Sequence, residues 1–132
     1  MTDFLNKKVL LGVCGGVAAY KAAYVVREFI RLGAEVRVVM TQSAQAFITP
    51  MTLQALSGHE VRCDVFDPQA ERAMGHIELA RWADYVVIAP ATANILASLA
   101  HGFADDLLTT LCLVTESPVF VCPAMNHTCC DS

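Results

Sequence analysis

Apolar residues follow two spacings along this chain. Short continuous runs, bounded by glycine, proline or polar turns, occur at Lys8 to Val13 (KVLLGV), Ala34 to Met40 (AEVRVVM), Asp84 to Ala89 (DYVVIA) and Pro118 to Cys122 (PVFVC). Such runs predict buried strands, with Pro90 and Pro123 as stops. Between them the spacing changes to three and four. Val17, Tyr20, Tyr24, Val25, Phe29 and Leu32, with Lys21, Arg27, Glu28 and Arg31 interspersed, predict one helix from Val17 to Leu32, ended by Gly33. Pro50 to Leu56 predicts a short helix begun by proline and broken at Ser57-Gly58. Thr92 to Ala100 and Asp105 to Leu113 predict two more, the second with an acidic start. The remaining pieces are a polar turn at Thr41-Gln42-Ser43, a helical turn at Ala44 to Phe47, a short strand or edge segment at Val61 to Phe66, a loop at Pro68 to Met74 and one helical turn at Ile77 to Trp82.

Strands and helices thus alternate, and the strands are apolar on both faces. That pattern predicts the α/β class: a Rossmann-like (flavodoxin-like) doubly wound parallel sheet in three layers, α/β/α. The first β-α-β crossover is expected to be right-handed. The 132 residues contain no repeat, low-complexity stretch or linker, so one domain over 1–132 is expected.

Composition sharpens this picture. Hydrophobic residues make up 55 % and charged residues 17 %, against about 45–50 % and about 25 % in ordinary globular domains. A doubly buried sheet absorbs part of that excess, and a subunit interface absorbs more. With a net charge of −4 and no basic run, a nucleic-acid partner is not expected. Lys7-Lys8 and the apolar run after them have the outline of a signal peptide, but Gly15-Gly16 interrupts the run and Tyr20-Lys21 ends it. No run approaches the roughly 18 apolar residues that span a bilayer, so no membrane association is expected. The six cysteines lack zinc spacing and read as free thiols of a reducing cytoplasm, with Cys129-Cys130 in an exposed tail. No metal site is expected.

In a doubly wound sheet, ligands bind beyond the carboxyl ends of the strands. Four segments qualify: Gly12 to Val17, Met40 to Ser43, Ala89 to Asn94 and Cys122 to Asn126. Gly15-Gly16 lets backbone N–H groups approach an anion at a helix start, or simply makes a tight turn. The second strand ends in Met40-Thr41 where a dinucleotide site expects an acid, which favours a mononucleotide such as FMN over NAD. Thr92 and Asn94 serve either a ligand or a helix cap. His76, in Gly75-His76-Ile77, is a candidate base because an imidazole titrates near neutrality. His59, His101 and His127 read as structural or solvent-exposed.

Five stretches then occur in a familiar order. They are Gly12-Val13-Cys14-Gly15-Gly16-Val17-Ala18-Ala19-Tyr20-Lys21, Ala46-Phe47-Ile48-Thr49-Pro50, Met74-Gly75-His76-Ile77-Glu78-Leu79, Ala89-Pro90-Ala91-Thr92-Ala93-Asn94 and Pro123-Ala124-Met125-Asn126. Together they resemble the flavin-containing cysteine decarboxylases, above all the phosphopantothenoylcysteine decarboxylases. The resemblance implies that Gly15, Gly16, Thr41, Pro90, Ala91, Thr92 and Asn94 hold FMN, that His76 is the active-site base and that Asn126 grips the substrate carboxylate. It implies oxidation of the cysteinyl thiol of 4′-phosphopantothenoylcysteine to a thioaldehyde, loss of CO2, and return of the electrons to give 4′-phosphopantetheine for coenzyme A synthesis. It also implies a homo-oligomer, a trimer or dodecamer, in the cytoplasm. The resemblance further implies a flavoprotein domain cut short before the family's cysteine-bearing flap and without a synthetase domain. Sister activities share these motifs: peptidyl-cysteine decarboxylases, flavin prenyltransferases and non-catalytic flavin-binding assembly subunits.

Overall fold

The computed structural model describes residues 4–63, 74–104 and 106–123. Four strands form one sheet: β1 (Lys8–Val13), β2 (Glu35–Met40), β3 (Tyr85–Ala91) and β4 (Val119–Pro123), in the order β2-β1-β3-β4. Every pairing is parallel. The helices are α1 (Lys21–Arg31), α2 (Pro50–Ser57), α3 (His76–Trp82), α4 (Ala93–His101) and α5 (Leu107–Val114).

Alternation along β1 explains the layers. Val9, Leu11 and Val13 point to one face, where they meet Ala22 and Val26 of α1 and Leu53 of α2. Leu10 points to the other, towards Leu79 of α3, Ile95 of α4 and Leu108 and Leu111 of α5. Successive strand residues face opposite sides of a sheet, so a continuous apolar run supplies both cores. The expected three-layer α/β/α architecture is the observed one. Gly12 lies on the second face, and a Cβ there would stand 2.6 Å from Leu108 Cδ1, so the missing side chain is what lets α5 approach the sheet.

The elements differ from expectation at several points. The predicted helix from Val17 begins as a 3₁₀ turn, Val17–Tyr20, before α1 proper. Ala19 N–H donates to Gly16 O at 2.9 Å, the tighter bonding common at helix starts. The buried face of this segment is made by Ala19, Ala22 and Val26, whereas Val17, Tyr20 and Tyr24 turn outward. Small residues let the helix lie close to the sheet. Pro90 does not stop β3, which runs on to Ala91. The ladder with β4 is irregular between Ile88 and Ala91, where proline offers no N–H. The predicted strand at Val61 to Phe66 is reduced, within the described residues, to a single bridge between Val39 and Arg62. The single turn expected at Ile77 is a seven-residue helix. Among the cysteines, Cys14 and Cys112 are free thiols as expected, but Cys122 is disulfide-bonded. Among the described residues no helix is long and apolar enough to cross a membrane.

Candidate functional site

The strand order places the site. From β1 the chain first moves outward to β2, then returns to β3 on the other side of β1. The connections after β1 and β3 therefore diverge to opposite faces and open a crevice at the carboxyl ends. A pocket of ≈ 860 Å³ opens there, between the turns after β1 and β2 and the walls made by α4 and the start of α5. That lies within the range of small-molecule sites, about 300–1,000 Å³.

Gly15 is buried, and a Cβ on it would lie 2.6 Å from Ser43 Oγ and 3.1 Å from the Ser43 carbonyl carbon. The turns after β1 and β2 thus touch, and only glycine fits between them. Gly16 is required for a different reason: its φ of 126° belongs to a backbone that side chains resist. It precedes the 3₁₀ turn and gives it no side-chain cap. Cys14 N–H donates to Pro90 O at 3.1 Å, tying the end of β1 to that of β3.

Gly15, Gly16, Thr41, Thr92 and Asn94 all line the pocket. Two of their side chains are partly occupied. Thr41 Oγ1 accepts from Ala44 N–H at 3.3 Å and shares a hydrogen bond with Ser43 Oγ at 3.2 Å. Thr92 Oγ1 accepts from Ile95 N–H at 3.3 Å and caps α4. Each hydroxyl oxygen is engaged within its own turn. Pro90 and Ala91 are buried and outside the pocket lining, where the Pro90 carbonyl serves the tie to Cys14. His76 is half-buried at the start of α3, also outside that lining. Asn126 and the Cys129-Cys130 pair lie outside the described residues.

Ser43 closes the Met40 to Ser43 segment that follows β2, and it packs on Gly15. Other lining residues carry no signal in their immediate sequence. Ser98 and His101 follow Asn94 at helical spacing, so one face of α4 walls the pocket. Phe47 and Phe103 add exposed aromatic surface. Asp106 caps α5: its Oδ1 accepts from Thr109 N–H at 2.8 Å and from Thr109 Oγ1 at 2.7 Å. Away from the pocket, buried Arg62 donates from Nη1 to the Met74 carbonyl, which anchors the segment leading to His76.

Among the described lining residues Asp106 is the one acid, and none is lysine or arginine. An anion here is therefore a matter for backbone N–H groups and hydroxyls. Glycine at position 15, against Ser43, makes a cradle that any Cβ would fill, which suits a phosphate-bearing ligand. Beneath it the Cys14 thiol is pushed from its ordinary 9.0 up to about 11, chiefly by burial. A hydrogen bond with the Thr92 backbone lowers it, and the Asp106 charge adds to the rise. Burial likewise pushes the Cys112 thiol up to about 11.

The chain resembles known proteins along almost its whole length. It is 58 % identical over 122 residues to the coenzyme A biosynthesis bifunctional protein CoaBC of Escherichia coli strain K12, covering 92 % of this chain and 30 % of that protein. The chain thus spans about a third of the length of the curated relatives it matches. The crystal structure of the FMN-dependent cysteine decarboxylase SpaF superposes with a TM-score of 0.81 at 37 % identity, over 98 % of this chain and 74 % of that one. The C175S mutant of PPC decarboxylase complexed with pantothenoylaminoethenethiol does so with a TM-score of 0.72 at 34 % identity, over 96 % and 71 %. The family described as Flavoprotein matches residues 2–131, and this chain belongs to it.

Proposed function

We propose that this chain is an FMN-binding domain, over 1–132, that decarboxylates 4′-phosphopantothenoylcysteine to 4′-phosphopantetheine in coenzyme A synthesis. The observation that carries the reading is the Gly15–Ser43 cradle at the diverging ends of β1 and β3, in a chain resembling a PPC decarboxylase that holds pantothenoylaminoethenethiol. Bound FMN would supply the two-electron oxidation and re-reduction that make the substrate's carboxylate able to leave as CO2.

The chain's own residues bind and orient. Backbone N–H groups of Gly15 and Gly16, with the Ser43 hydroxyl, receive the cofactor phosphate at a helix start, where the dipole favours an anion. Thr41 and Thr92 hold their turns in shape and offer hydroxyl protons. Asn94, exposed in the first turn of α4, offers an amide. The Pro90-Ala91 backbone fixes the spacing between the first and third turns. His76 takes a proton from the substrate, on a segment anchored by Arg62, and Asn126 binds the carboxylate.

We also propose a cytoplasmic homo-oligomer, a trimer or dodecamer. Its support is the low charge of the chain and the exposed apolar side chains Val17 (76 %), Tyr24 (68 %) and Met51 (77 %). The test incubates the purified, FMN-loaded protein with 4′-phosphopantothenoylcysteine and measures CO2 release. A yellow protein that releases CO2 from this substrate and not from a peptide with a C-terminal cysteine bears the reading out. The reverse preference assigns it to peptidyl cysteine, and a colourless protein removes the flavin reading.

A further inference from the structure

We infer that His101 and Phe103 form a stacking shelf for the planar ring system of the ligand, at the end of the pocket away from the phosphate cradle. This rests on the FMN reading and adds the direction in which the molecule lies.

His101 ends α4, Gly102 follows with a φ of 71°, and Phe103 comes next. The left-handed glycine folds the chain back so that the two rings stack, with centroids 5.6 Å apart and planes 30° from parallel. Both rings line the pocket, and Phe103 is 58 % exposed. A large aromatic held in this way at a pocket mouth covers little core and presents a flat apolar face to whatever enters.

Position along the wall fixes the direction. Asn94, Ser98 and His101 lie on one face of α4, and seven residues of helix rise about 10 Å. The cradle at Gly15 and Ser43 is beside the strand ends, where α4 begins; the shelf is where α4 finishes. An elongated molecule with a phosphate at one end and fused rings at the other fits that arrangement one way round. Stacking on an aromatic face requires a π-system and not a particular hydrogen-bond pattern.

The experiment titrates the purified chain with FMN and separately with riboflavin, following flavin fluorescence, with a thermal melt beside each titration. Replacing both rings, His101→Ala with Phe103→Ala, is expected to weaken the two flavins alike, by about tenfold or more, with an unchanged melt. Phe103→Tyr, which keeps a flat ring, is expected to bind as the unsubstituted chain does. Full-strength flavin binding by the double variant overturns the shelf while leaving the FMN reading intact. Loss confined to FMN, with riboflavin unaffected, overturns the direction, since the rings would then serve the phosphate. An unsubstituted chain that binds neither flavin overturns the FMN reading and the shelf with it.

Discussion

Two kinds of helix start coexist in this domain, and one of each kind, at Gly16 and at Thr92, lines the same pocket. The 3₁₀ turn ahead of α1 and the start of α3 are preceded by Gly16 and Gly75, and neither has a side-chain cap. The starts of α2, α4 and α5 are closed by Thr49, Thr92 and Asp106, each of whose side chains accepts the backbone N–H three residues on. The first N–H groups of a helix lack intrahelical partners and must be satisfied from elsewhere. Threonine and aspartate satisfy one from within. Glycine supplies no oxygen and leaves that work to a neighbour, to water or to a ligand. The same residue type in the same place after a strand can therefore mean fold or function, and the hydrogen bond it makes tells them apart.

Filling an uncapped start should have the largest effect. Gly15→Asp would drive a Cβ into Ser43 and set a carboxylate where the phosphate belongs. We expect a colourless protein, checked by flavin absorbance after reconstitution; full colour would locate the cofactor elsewhere. Next in size is His76→Asn at the other glycine start. Loss of a general base costs about 10²–10⁴-fold in rate, so CO2 release should fall by that factor while flavin colour and melting temperature hold. A pale, unstable variant would make His76 a packing residue instead.

Smaller effects probe what lies beneath and beside the open turn. The Cys14 thiol, raised from 9.0 to about 11 by burial, binds its proton more tightly in the folded chain than in the unfolded one. Its contribution to stability is thus complete below pH 9 and drains away as pH rises through 11, on the order of 2–3 kcal/mol. Denaturant titrations at pH 8, 9, 10 and 11 should show this decline, and Cys14→Ala should reduce it, leaving the part that belongs to the Cys112 thiol, which burial raises to the same value. A wild-type curve unchanged over that window would show the thiol to be solvated. The least effect belongs to a closed start: Thr92→Ala should cost about 1 kcal/mol of stability. Thr92→Asn should restore it, because asparagine caps as well. If Thr92→Asn keeps the stability but loses flavin affinity, the hydroxyl serves the ligand in addition to α4.

The fold was legible because its signals are local. Leu10 and Leu11 face opposite cores, so an unbroken apolar run in β1 announces a sheet covered on both sides. The misreadings arise where partners in space override spacing. Tyr20 and Tyr24 keep a helical period yet point outward, because alanines at 19 and 22 bring α1 closer to the sheet. Pro90 looks like a stop, but the pairing of Ala91 with Pro123 on β4 and the bond from Cys14 N–H to Pro90 O carry the strand past it. In the site, Gly15, Gly16, Thr41, Thr92 and Asn94 follow strands and could be located by that rule alone. Ser43 closes a segment that the same rule selects, but His101, Phe103 and Asp106 could not be located by it. Their neighbours in sequence say helix end and cap, and only the meeting of α4 and α5 around one cavity gives them a second meaning.

The bond from Cys14 N–H to Pro90 O has a consequence for how this pocket can breathe. It couples the glycine turn to the β3 end at the level of the main chain, so neither rim can swing away without breaking a bond in the middle of the sheet. The Cys14 amide consequently acts as a gauge for the whole crevice: its hydrogen exchanges with solvent when the two strand ends part, and a molecule seated against either rim slows that exchange for both.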